Sequence, residues 1–118
     1  MPSLEAENKR RSSRVFARFR VPCKGKNADG RQIRSSAETI VVNAHGALMY
    51  LDEPMQMGVE FTITSPATQE EQECRVVFLG DESDRGRRVG VEFLTPAPHF
   101  WGVEFAADDW PRKPPATN

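Results

Sequence analysis

Hydrophobic and polar positions alternate along much of this chain, and a period of two marks a strand with one buried face. From Arg14 onward, Val15, Ala17, Phe19 and Val21 fall on one side, while Phe16, Arg18 and Arg20 fall on the other. Pro22 and the stretch 24–30 end this strand, and Asp29-Gly30 is a hairpin signal. A second strand is expected over roughly residues 31–43, with Thr39-Ile40-Val41-Val42 as its β-branched run. Asn43-Ala44-His45-Gly46 reads as a turn or bulge. Residues 47–51 and 59–64 make a third and a fourth strand. Residues 70–79 make a fifth, whose apolar part is Val76-Val77-Phe78-Leu79, and residues 88–94 make a sixth after a loop at 80–86. The remaining tail mixes five prolines with Phe100, Trp101, Phe105 and Trp110, leaving room for at most a short helix near residues 97–109.

Six short strands separated by turn signals imply an all-β fold, an antiparallel barrel or sandwich. Closing a barrel would remove the exposed edges that invite aggregation. The aromatic tail can pack over an open end of it. The expected organisation is an unstructured segment at residues 1–8, one domain over 9–95, and a tail over 96–118. Gly-Val-Glu-Phe occurs at 58–61, 90–93 and 102–105, at unequal spacing, so it reads as recurrent strand chemistry with Glu outward and Val and Phe inward.

Length changes this picture little: 118 residues suit one domain. Charge changes it more. The chain has 16 basic and 17 acidic side chains, a net −1, which argues against bulk attraction to DNA or RNA. That total hides a split. Residues 1–34 hold ten basic and three acidic groups, and the rest hold six and fourteen, or +7 against −8. The positive part suits a small anionic partner. No apolar run approaches the roughly 18 residues of a membrane span. No signal peptide precedes the first strand, so a cytoplasmic protein is expected.

Catalysis finds little support. His45 and His99 form no metal-ligand pattern, and no nucleophile elbow or phosphate-binding glycine loop is present. Cys23 and Cys74 fall on expected strands and read as small buried hydrophobes. The arginines just before the first strand are the better candidates. Guanidinium is a planar fork that grips phosphate or the Hoogsteen edge of guanine, and it also stacks on bases.

Taken in order, Arg10-Arg11-Ser12-Ser13-Arg14-Val15, Val41-Val42-Asn43-Ala44-His45-Gly46-Ala47, Met57-Gly58-Val59-Glu60-Phe61 and Arg88-Val89-Gly90-Val91-Glu92-Phe93 resemble the PilZ domain family over residues 9–95. That resemblance implies a six-stranded antiparallel β-barrel that binds the second messenger cyclic di-GMP. Arg10 and Arg14 match the family's Arg-x-x-x-Arg, with Arg11 beside them, and would hold guanine and phosphate. The second motif, Asp/Asn-x-Ser-x-x-Gly, is matched only at Gly46: Val41 stands in the acidic or amide position and Asn43 in that of serine. Asn43, His45 and Gly46 are the ligand-site candidates on this side. No cofactor is implied. Two outcomes stay open: a cyclic di-GMP receptor whose N-terminal arm changes conformation and signals through a partner protein, or a ligand-free domain that acts by protein interaction. A tail exposing Phe100, Trp101 and Trp110 would serve the second. Single-stranded nucleic-acid binding is the weakest reading, because the basic arm and the aromatic tail are not interleaved.

Overall fold

The computed structural model describes residues 14–103. The N-terminal segment with Arg10 and Arg11, and the tail with Phe105 and Trp110, lie outside the described residues. The architecture is all-β and antiparallel, with strands β1 (Val15–Phe16), β2 (Arg20–Val21), β3 (Cys23–Gly25), β4 (Ala37–Asn43), β5 (Gly46–Leu51), β6 (Glu60–Thr64), β7 (Glu71–Ser83) and β8 (Gly86–Phe93). They form one eight-stranded sheet in the order β1-β4-β5-β8-β7-β6-β3, with β2 also pairing β4. Among the described residues there is no helix; residues 98–101 form turns.

The expected closed six-stranded barrel is therefore corrected to an open path of eight strands. The first expected strand accounts for the difference. Its alternation holds, with the Val15, Ala17, Phe19 and Val21 side inward. Its hydrogen bonding does not run unbroken. β1 and β2 pair with β4, whereas β3 pairs with β6 at the opposite edge of the sheet. The change of partner comes at Pro22, which has no N–H to give a ladder. Its carbonyl accepts the Thr64 N–H at 3.0 Å. Because Val21 faces Ala37 and Cys23 faces Ile63, the sheet must curl until its two edges are bridged by consecutive residues.

Between β1 and β2 the ladder thins to two backbone bonds, Ala17 N–H to the Ile40 carbonyl and Thr39 N–H to the Phe19 carbonyl, and a side chain supplements it. The buried Thr39 hydroxyl donates to the Ala17 carbonyl at 2.6 Å and accepts the Phe19 N–H at 2.8 Å. One hydroxyl thus satisfies two backbone groups that the break in pairing would strand.

The second expected strand begins later than its residue pattern suggests, at Ala37. A carboxylate competes for the backbone before that point. Glu53 Oε2 accepts the N–H groups of Arg34 (2.8 Å) and Ser35 (3.0 Å), while Oε1 accepts from Asn27 Nδ2 (3.0 Å). The buried Asn27 in turn caps the Asp29-Gly30 turn, its Oδ1 accepting the N–H groups of Asp29 and Arg31. The expected loop at 80–86 is mostly strand: β7 and β8 continue to a tight turn that ends on the Ser83–Gly86 pair.

Strand register sorts residues into faces. Val15, Val42, Ala47, Val91 and Val76 lie opposite one another across five strands and face inward. A bulge at Val77 breaks the alternation of β7, so Val77 and Phe78 both turn outward. The apolar run 76–79 is consequently not buried as a block. Phe100 and Trp101 are each 1% exposed, so these two tail aromatics belong to the core. Trp101 stacks on Phe19 (5.7 Å, 7°) and meets Phe100 edge to face at 4.9 Å.

Partial burial of Glu53 works against its charge, but the bonds from Asn27, Arg34 and Ser35 outweigh it and hold the carboxyl below the usual glutamate range. A lowered carboxyl pKa stabilises the fold above the ordinary glutamate pKa of about 4.3, and the contribution fades as pH falls through the native value. Glu53→Ala is expected to cost about 1–2 kcal/mol at neutral pH. Urea titrations of wild type and variant should converge as pH falls from neutral through the lowered native pKa of this carboxyl; a gap that stays constant on acidification would assign the loss to packing instead.

Candidate functional site

β4 and β5 are joined by the two-residue turn Ala44-His45, closed by the pair Asn43 and Gly46. The sequence specifies this turn locally: Asn43 Oδ1 accepts the His45 N–H at 2.8 Å, an Asx turn. The turn also leans on β8. The His45 carbonyl accepts the Phe93 N–H at 2.8 Å. A Cβ on Gly46 would overlap the Val91 carbonyl oxygen and come within 3.0 Å of Glu92 Cα. Glycine is needed here for close approach rather than for backbone angle. From inside, Trp101 Nε1 donates to the Gly46 carbonyl at 3.2 Å.

Outside the turn lies a cleft of about 330 Å³. Its lining brings together four of the six candidates: Arg14, Asn43, His45 and Gly46. Arg10 and Arg11 lie outside the described residues. Val41, the departure from the second motif, forms part of the wall. Arg14 is exposed and makes no ion pair among the described residues. A neighbouring cleft of about 310 Å³ contains Arg18 and Arg85, but the Glu38 carboxylate pairs with both at 3.5 Å. Of these two clefts, the one beside Gly46 holds the cation that makes no ion pair among the described residues.

Among the lining residues that sequence reasoning missed are Leu48, Phe78 and Glu92. Register explains their presence. Phe16, Val41, Leu48, Gly90 and Phe78 form an outward row across β1, β4, β5, β8 and β7. Gly90 makes room for its neighbour, since a Cβ there would meet Phe78 Cβ at 2.9 Å. The adjacent outward row is Asn43, Gly46, Glu92, Arg75 and Glu60. Alternation within the 90–93 repeat gave Glu92 an outward direction, but not its neighbours.

Other chemistry is weakly provided for. Burial pushes the Cys23 thiol up to about 12, with the nearby Glu53 charge adding to the rise and a hydrogen bond to Ala37 opposing it. Burial also raises Cys74. Both stay protonated at neutral pH and make poor nucleophiles. Among the described residues, no group of three His, Cys, Asp or Glu side chains is placed to hold a metal ion, and no helix is long and apolar enough to cross a membrane.

Two substitutions test how the turn is held. Gly46→Ala should cost at least about 2 kcal/mol, because the obstacle is backbone and cannot swing aside. Trp101→Phe should keep the stack on Phe19 and lose about 1 kcal/mol with the indole bond, against about 3–5 kcal/mol for Trp101→Ala. Denaturant melts of the three variants check both expectations; a neutral Gly46→Ala would mean that the turn stands off β8.

No curated protein matches the chain significantly. The family model of the PilZ domain matches residues 8–99, most of the chain and every strand of the sheet. The chain belongs to the PilZ domain family.

Proposed function

We propose that this protein is a cyclic di-GMP receptor that signals through a partner protein. The observation that carries the reading is the cleft gathering Arg14, Asn43, His45 and Gly46 on one outward face, with Arg14 making no ion pair among the described residues. In this reading Arg10, Arg11 and Arg14 grip guanine and phosphate of the dianionic ligand. Asn43 has its carbonyl oxygen bonded to the His45 N–H, so it offers the ligand its Nδ2 donors. Ligand bridging the arm and the sheet reorders the arm and changes the surface shown to an effector. The assignment is to a binding module rather than an enzyme.

A second reading is a ligand-free PilZ domain acting as a protein-interaction module. It draws on Val41 in the second motif and on the outward apolar row, in which Phe16 is 81% and Phe78 46% exposed. The tail version of this idea loses two of its three aromatics, since Phe100 and Trp101 are buried; Trp110 lies outside the described residues.

Isothermal titration with cyclic di-GMP separates the two. The receptor reading expects saturable heat, and Arg14→Ala or Arg10→Ala should weaken binding by about tenfold or more. No heat at about 100 µM ligand would favour the interaction module.

A further inference from the structure

Guanine is distinguished from adenine by its N1–H and N2–H donors, and a carboxylate accepts both at once. The second motif no longer supplies such a group, because Val41 is apolar and the Asn43 oxygen is engaged by the turn. Resting on the receptor reading above, we infer that Glu92 of β8 supplies the missing acceptor and reads the guanine edge from the opposite side of the cleft.

Three observations carry this. Glu92 lines the same cleft as Arg14, Asn43 and His45. Its carboxylate is exposed and, among the described residues, has no ion pair or hydrogen bond; the next side chain in its row, Arg75, is paired with Glu60 at 3.4 Å. On its other side the row continues to Gly46, which has no side chain, so β5 places no side chain between Glu92 and Asn43. The apolar row alongside, with Val41, Leu48 and Phe78, gives a flat ring a surface to lie on while its edge meets Glu92. A base held this way has its polar edge paired and its faces against carbon.

Base selectivity is the property that depends on this carboxylate. Titrations of wild type and Glu92→Gln against cyclic di-GMP and cyclic di-AMP test it. Glu92 is exposed, so the substitution leaves the fold intact, which a denaturant melt verifies. The expected result is a wild-type preference for the guanine ligand, a loss of about tenfold for that ligand in Glu92→Gln, and unchanged weak binding of the adenine ligand. Cyclic di-GMP binding by Glu92→Gln equal to wild type, or a wild type without base preference, overturns the role of Glu92 and leaves the receptor reading standing. Wild type that binds neither dinucleotide overturns both.

Discussion

The organisation of the outer face depends on one close approach, that of Gly46 to β8. The backbone of the Asn43–Gly46 turn lies so near the Val91 carbonyl that no side chain fits between them. The bonds Phe93 N–H to His45 carbonyl and Trp101 indole to Gly46 carbonyl become possible only at that distance. The same contact brings Asn43 and His45, carried by the β4–β5 hairpin, beside Glu92 of β8. The docking of the turn on β8, and with it the meeting of Asn43 and Glu92, thus depends on a single missing Cβ.

Polar side chains stand in where the ladder fails. Thr39 holds the stretch between β1 and β2, and Glu53 with Asn27 holds the loop that leads to β4. Each takes up backbone groups that would otherwise lose their partners on burial. They matter because the N-terminal segment serves both edges of the sheet and cannot pair continuously with either. Arg14 lies one residue before β1, so the position of the first described cation follows from how this segment is tied down.

The aromatic cluster connects the parts from inside. Phe19 belongs to the N-terminal segment, Phe93 to β8, and Phe100 and Trp101 to the segment after it. The indole meets the turn through its N–H and Phe19 through its face. The stretch between β1 and β2, the turn and residues 100–101 therefore meet in one aromatic cluster beneath the cleft.

Much of this was legible in the residues. Alternation at 15–21 and 88–94, the turn at Asn43–Gly46 and the outward direction of Glu92 all follow from local pattern, since the period of a strand and the geometry of a turn are set by neighbouring residues. The match to the family was likewise carried by short motifs. What pattern could not give was which strands lie side by side. The split of the first strand between two edges, the outward turn of Val77 and Phe78 at a bulge, and the capture of Arg34 and Ser35 by Glu53 all depend on partners 12 to 40 residues away. The sequence by itself determined an antiparallel all-β domain with arginines beside a glycine turn. Only the tertiary structure decided that a carboxylate from β8 stands next to that turn, because register is a relation between strands and no single strand encodes it.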